Sequence, residues 1–230
     1  MNKDLADKYQ DIINVYNDNL ASYEMFQTRI RNFFENRSLT HVVHSVRFRM
    51  KDIDHLLEKI ERKNIEDEQR ETMNKKGEIN KENLFERVTD IAGVRVLHLY
   101  LSQFPIIHSA IMDEIDQGEF MLHEPPKAYT WDPESEVFFQ ELGIETEKKD
   151  SFYTSIHYVL KPNSKKIATC EVQVRTLLEE VWGEIDHTMN YPTPVTDEQC
   201  REQIRVLARL VGAGSHLSDS IMKRYGKTNY

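Results

Sequence analysis

Apolar and aromatic residues near the start of the chain recur as Leu5, Ile12, Ile13, Tyr16, Leu20, Tyr23, Phe26, Ile30, Phe33 and Phe34. Steps of three, four and seven put them on one helical face, and no proline interrupts, so a helix is predicted from about Leu5 to Phe34. A second helical pattern is read over about His41–Lys63, with Leu56, Leu57 and Ile60 apolar and charges elsewhere. Asn64–Lys81 carries only scattered apolar residues (Ile65, Met73, Ile79) and a Lys75–Gly77 turn signal. That predicts a weak helix and then an exposed loop.

The period then changes. Ile91–Tyr100 is β-branched and apolar and predicts a buried strand. Ser102–Gly118 returns to helix, with Ile106, Ile107, Ala110, Ile111 and Ile115 inward and Gly118 as a stop. Phe120–His123 reads as a short strand. Glu124–Asp150, with Pro125, Pro126, Trp131 and Pro133, reads as a long connection holding a candidate short helix at Pro133–Leu142. Its prolines and acidic residues predict a mobile or ligand-ordered segment. Tyr153–Leu160 and Ile167–Arg175 predict a strand pair across a Pro162–Lys166 turn, and Thr176–Asn190 and Thr196–Arg224 close the chain as helices. The implied class is α+β, a mixed β-sheet flanked by helices, with long N- and C-terminal helices. One domain is expected over 1–230, with a core at 41–190 and helical extensions at 1–40 and 196–225.

Composition narrows the class of function. The 230 residues carry a formal charge of −9, which argues against holding nucleic acid on a general basic face but leaves room for a small basic pocket. Cys170 and Cys200 form no paired motif, as expected of free thiols in a reducing compartment. No run of about 18 apolar residues occurs, and the opening MNKDLADKYQ is too polar for a signal peptide. A soluble cytoplasmic protein without membrane contact is expected.

Three segments carry candidate chemistry. In Thr89–Val96, Asp90 stands at the mouth of the strand and Arg95 five residues on. Odd spacing puts them on opposite faces unless the backbone bends, and Gly93 could supply the bend. The plain alternative is a turn residue and a salt-bridge partner. In Lys148–Tyr158, the residues Tyr153, Ser155 and His157 alternate onto one face behind Lys148 and Lys149, which suits a nucleotide base and its phosphates as well as a polar edge strand. In Cys170–Arg175, Glu171, Gln173 and Arg175 share one face and Val172 and Val174 the other. A polar row in a helix-covered sheet favours function. Farther on, Trp182 lies five residues before His187, with Asp186 beside it. A lone histidine at a helix end reads as structural.

Taken in order, these segments resemble the synthetase domain of the RelA/SpoT alarmone family. The resemblance rests on Asp90-Ile91-Ala92-Gly93-Val94-Arg95, Lys149 with Phe152-Tyr153-Thr154-Ser155-Ile156-His157, Glu171 through Thr176, and Trp182 through Asp186-His187. Arg49-Met50-Lys51, with Leu56 and Lys59 after it, is similar to the family's Arg-x-Lys motif, read here on a helix. Phe152 stands where the family has glycine and is expected to narrow a ligand's approach to the backbone. His55 stands where the family has serine. The histidine-rich signature of the family's hydrolase domain is absent, so a stand-alone small synthetase is implied.

The resemblance implies transfer of pyrophosphate from ATP to the 3′-hydroxyl of GDP or GTP, with Mg2+ as cofactor. Asp90 and Glu171 are implied as catalytic residues and metal ligands, Glu171 also deprotonating the hydroxyl. Arg49 and Arg95 would stack on the adenine, with Lys51 on the phosphates. Tyr153 would stack on the acceptor base, with Lys149, Ser155, His157, Gln173 and Arg175 completing the acceptor site. It also implies a homo-oligomer formed through the terminal helices. Two other readings stay open. One is the same chemistry on a tRNA 3′ end or an adenine nucleotide in a toxin-type synthetase, which the −9 charge disfavours for RNA unless Lys148, Lys149, Lys165 and Lys166 cluster. The other is a non-catalytic nucleotide-sensing or interaction module, against which Asp90 and Glu171 both argue.

Overall fold

The structure, a computed structural model, describes residues 3–149, 151–165, 168–190 and 194–228. The elements run α1 (Lys3–Lys8), α2 (Gln10–Phe34), β1 (Ser45–Met50), α3 (Ile53–Glu68), α4 (Leu84–Arg87), β2 (Ala92–His98) and α5 (Phe104–Asp116). They continue with β3 (Phe120–Thr130), α6 (Pro133–Glu141), β4 (Glu145–Lys148), β5 (Ser155–Pro162), β6 (Cys170–Thr176), α7 (Leu177–Asn190) and α8 (Glu198–Thr228). The strands form one mixed sheet in the order β1-β2-β6-β5-β3-β4. Pairs β2/β6 and β3/β4 are parallel and the rest antiparallel. The α+β reading holds.

Strand alternation divides this sheet into two chemically distinct faces. Val94 and Val96 of β2, with Cys170, Val172 and Val174 of β6, turn to one side and join Tyr16, Tyr23, Phe26, Ile30 and Phe34 of α2 in the main core. Leu56, Leu57 and Ile60 of α3 and Phe104, Ile107 and Ile111 of α5 complete it. Ile106, expected inward, is exposed. The opposite face carries Arg47 and Arg49 of β1, Gly93 and Arg95 of β2, and Glu171, Gln173 and Arg175 of β6. Register aligns them, with Arg49 opposite Gly93, Gly93 opposite Glu171 and Arg95 opposite Gln173.

Two expectations are corrected. The helical reading over His41–Lys63 fails in its first half, because Ser45–Met50 is an edge strand that pairs with β2. Its sequence, SVRFRM, alternates apolar and polar with period two. The helix starts only after Asp52, whose side chain caps it by accepting from the Asp54 N–H at 2.8 Å. Glu124–Asp150 is not a long connection, since most of its described residues belong to β3, α6 and β4, α6 being the short helix expected at Pro133–Leu142; Asp150 lies outside the described residues. The ladder of β3 shifts register between Leu122 and Glu124 and again between Glu124 and Lys127. Those bulges absorb Pro125 and Pro126, which have no N–H to give a ladder. The helix and exposed loop read over Asn64–Lys81 hold, with the loop tethered where the Asp67 carboxylate accepts from the Lys76 and Gly77 N–H groups and Asn64 Oδ1 accepts from the Ile79 N–H. Ile79 is buried as a result. Of the predicted hairpin turn and second strand, Lys166 and Ile167 lie outside the described residues.

Two details of the C-terminal third position the site. Thr176 and Glu179 form a capping box across the direct β6-to-α7 junction. Glu179 Oε2 accepts from the Thr176 N–H at 2.8 Å, and Thr176 Oγ1 accepts from the Glu179 N–H at 3.2 Å. Trp182 is buried in the α7–α8 seam, where its indole N–H donates to the Ile204 carbonyl at 3.1 Å. No described helix is long and apolar enough to cross a membrane.

Candidate active site

The polar face of the sheet and the exposed side of α7 enclose a cleft of about 620 Å³. Arg49, Asp90, Arg95, Tyr153, Glu171, Gln173 and Arg175 line it, together with Arg47, Glu184, Asp186, His187 and Asn190. Three strands (β1, β2 and β6), the helix α7 and the segments that carry Asp90 and Tyr153 into β2 and β5 thus converge on a single space.

Asp90 reaches this face because the chain bends at Ile91 before β2 begins. The bend therefore falls two residues ahead of Gly93, which lies in regular strand. Asp90 Oδ2 sits 3.0 Å from Lys51 Nζ and 2.7 Å from Lys59 Nζ. Burial alone would raise the carboxyl, but the charges and hydrogen bonds of Lys59 and Lys51 prevail and hold it down at about 2. Its other oxygen, Oδ1, is buried with no hydrogen-bond partner. Lys51 is half of this pair and does not line the cleft. Lys59 was noted in the sequence only as part of a motif, and the structure gives it a definite role in neutralising Asp90.

Glu171 belongs to a second chain of contacts. His157 Nδ1 lies 3.3 Å from Glu171 Oε1, and His157 Nε2 lies 3.0 Å from the Tyr153 hydroxyl. With Glu171 ionised, the His157 Nδ1–H donates to it, and the Tyr153 hydroxyl stands within hydrogen-bond reach of the other ring nitrogen. Gln173 Nε2 donates to Glu171 Oε2 at 2.7 Å. Burial pushes the Glu171 carboxyl up, yet the His157 bond and charge and the Gln173 bond bring it below its ordinary value against repulsion from Asp90. Behind this chain Tyr129 of β3 meets the His157 ring edge-on at 4.8 Å, and Lys149 stands 4.5 Å over the Tyr129 ring while paired with Glu147. His157 and Lys149 therefore support the cleft from outside its lining, and Ser155 is fully buried. Tyr129 was missed because its strand was read as loop.

Three of the cleft arginines share one counter-ion. Glu180, in the first turn of α7, contacts Arg175 at 2.5 Å, Arg95 at 2.8 Å and Arg47 at 3.2 Å. Glu184, one turn on, also holds Arg95 at 2.5 Å. Gly183 leaves room for this packing, since a Cβ there would stand 2.7 Å from an Arg175 guanidinium nitrogen. Spacing on α7 could have flagged Glu180 and Glu184 as a helical pair facing the sheet, but nothing in the sequence named their partners.

A family model described as the region found in RelA/SpoT proteins matches residues 48–196. The chain belongs to the RelA/SpoT family. Among curated protein sequences none matches significantly. Solved structures share the fold. A GTP pyrophosphokinase family protein from Streptococcus pneumoniae aligns with TM-score 0.66 at 17% identity, covering 93% of each chain. The small alarmone synthetase 1 of Bacillus subtilis bound to its product pppGpp aligns with TM-score 0.61 at 19% identity, covering 94% of this chain and 96% of that one. The same protein bound to AMPCPP gives TM-score 0.65 at 17% identity, with coverage of 92% and 98%.

Within this RelA/SpoT chain, Phe152 does not act as expected. It sits at φ +62°, the left-handed conformation glycine would adopt freely, and its ring turns to Trp131 and α8. It is absent from the cleft lining, so it does not narrow the approach. Trp182 of the fourth motif serves the helix seam, whereas Asp186 and His187 of that motif do line the cleft.

Asp90→Asn should cost stability as well as function. It leaves Lys51 and Lys59 facing each other with no anion in a site where breaking a buried pair costs about 3 kcal/mol or more. Because the folded carboxyl titrates near 2 and its ordinary value is 3.8, its contribution is full above about pH 4 and is lost as the pH falls toward 2. Denaturant melts across that window should show the acid-dependent loss in the parent and a flatter curve in the variant.

Proposed function

We propose that this chain is a magnesium-dependent nucleotide pyrophosphokinase that moves pyrophosphate from ATP to the 3′-hydroxyl of GDP or GTP, giving (p)ppGpp and AMP. The observation that carries the reading is Glu171, a half-buried carboxylate held below its ordinary pKa beside an aromatic platform, Tyr153, in a cleft that an arginine pair, Arg49 and Arg95, also lines. The acceptor oxygen would attack the β-phosphorus, the bond from that phosphorus to the oxygen of the α-phosphate would break, and AMP would leave. Glu171 would take the hydroxyl proton, and His157 would hold Glu171 in line with Tyr153. Arg49 and Arg95 would grip the donor base, Glu180 and Glu184 fixing Arg95 for it. Lys51 and Lys59, held behind the cleft on Asp90, would supply positive charge toward the phosphates.

Asp90 and Glu171 would hold the magnesium ion. The fit rests on Asp90 Oδ1, a buried acceptor without a protein partner, and on a donor set of two carboxylates, which suits an ion that takes most of its ligands from water and substrate phosphates. When bound, the ion neutralises charge on non-bridging phosphate oxygens.

Labelled ATP incubated with GDP, GTP, ATP or tRNA and resolved by chromatography tests the reading. Label should move to GDP or GTP; transfer only to tRNA or an adenine nucleotide would replace the acceptor, and transfer to none would refute the function. Glu171→Gln should lower the rate by about 100-fold or more while ATP still binds, since it removes the base and leaves the arginines in place. Tyr153→Ala should weaken acceptor binding by about 1–3 kcal/mol, with Tyr153→Phe retaining most of it, as isothermal titration with GDP would measure.

We also propose a homo-oligomer built through α8. Val206, Leu210, Leu217 and Ile221 are at least half exposed along one helix of 31 residues. Such a stripe fits burial against another copy. Light scattering at micromolar concentration should give a multiple of the chain mass, and a monomer would refute it.

A further inference from the structure

Phe152 is the one non-glycine residue at positive φ among the described residues. A side chain with a Cβ avoids this region, so it persists only where its surroundings hold it there. The surroundings are specific. The Phe152 ring lies 5.0 Å from the Trp131 ring, and the Arg209 guanidinium of α8 stands 5.5 Å over it. Phe152 and Tyr153 both pack on the Trp182–Ile204–Ala208 cluster between α7 and α8. Trp131 is itself seated against α8 through Gly212, where an added Cβ would come within 3.1 Å of the indole. The Phe152 N–H closes the turn by donating to the Lys149 carbonyl at 3.2 Å. The next residue, Tyr153, lines the cleft and bonds His157.

We propose that Phe152 is a positioning residue for the acceptor. Clamped between Trp131 and α8, it fixes the turn that presents the Tyr153 ring, so the C-terminal helix sets the acceptor platform although it lines no part of the cleft. This rests on the reading of Tyr153 as the acceptor's stacking surface. A glycine at 152 would accept the same φ without strain but would release the clamp, letting the turn sample other conformations that the acceptor must then select against.

The test compares Phe152→Gly, Phe152→Tyr and Gly212→Ala in the full chain. Trp131 and Trp182, the chain's two tryptophans, both adjoin Phe152, so intrinsic fluorescence reports this cluster while GDP is titrated. In Phe152→Gly the GDP midpoint and the acceptor KM should rise on the order of five- to tenfold, with the ATP KM and the saturated kcat unchanged. Phe152→Tyr should restore both. Gly212→Ala, which pushes on Trp131 from the far side and suits a helix, should move the acceptor KM in the same direction without touching residue 152. An unchanged acceptor KM in both Phe152→Gly and Gly212→Ala, or an equal rise of both KM values with a lowered melting temperature, would overturn the positioning role. A parent chain that neither binds nor uses a guanine nucleotide would instead overturn the proposed function.

Discussion

Arg47, Arg49, Arg95 and Arg175 rise from three adjacent strands onto one face of the sheet, and Arg175 is only 3% exposed there. Cations at that density repel, and a buried guanidinium without a partner would be prohibitively desolvated. Glu180 is the answer built into the fold, an equally buried carboxylate that touches three of the four. It reaches them because α7 begins with no intervening loop after β6, and the Thr176–Glu179 capping box fixes that junction. The segment Arg175-Thr176-Leu177-Leu178-Glu179-Glu180 therefore encodes a cation, the turn that reverses the chain, and the anion that returns to meet it. Replacing Glu180 would disturb Arg47, Arg95 and Arg175 together, whereas Glu184 pairs directly with Arg95 and reaches Arg175 and Arg47 only through its charge.

The register of the parallel pair β2/β6 depends on the same constraint. A slip of one residue in β6 would send Arg175 into the apolar core and Val174 onto the polar face, and a slip in β2 would do the same to Arg95 and Val94. Parallel strands distant in sequence thus align because both hydrophobic pattern and ion pairing reject the alternative. With that alignment set, Glu171 falls opposite Gly93, the one position on β2 facing the cleft without a side chain, and space remains between the carboxylate and Arg49.

How much of this was legible follows from how local each signal is. Strict alternation in Cys170–Arg175 and Tyr153–Tyr158 exposed both polar rows, and the helical period of α2 exposed the core face. β1 was misread because six alternating residues run into a helix whose own period dominates any longer window, and only Asp52 marks the boundary. β3 was misread because its prolines sit in bulges, which a ladder tolerates but a sequence pattern cannot distinguish from a loop. Tyr129 was lost with it. The parity conflict between Asp90 and Arg95 had the right form and the wrong location, since Ile91 bends and Gly93 does not. Partners of Glu180 and Lys59 lie far away in sequence, and no local spacing carries that information.

Charge in this chain is partitioned. The whole carries −9, yet Arg47, Arg49, Arg95 and Arg175 line one cleft, and Lys51 and Lys59 stand behind it on Asp90. Each of its key carboxylates is committed on one side and available on another. Asp90 spends Oδ2 on two lysines and keeps Oδ1 unpartnered; Glu171 is oriented by His157 and Gln173 while facing the open space. Burial would ordinarily protonate both, and it is the surrounding cations and hydrogen bonds that keep them anionic. A phosphoryl group in transit has little need of a covalent partner and much need of fixed charge and alignment. In a cleft of this kind the electrostatic cost is met during folding, when Glu180 and the lysines assemble, so that a polyphosphate entering later encounters oriented cations and ionised carboxylates with little reorganisation left to do.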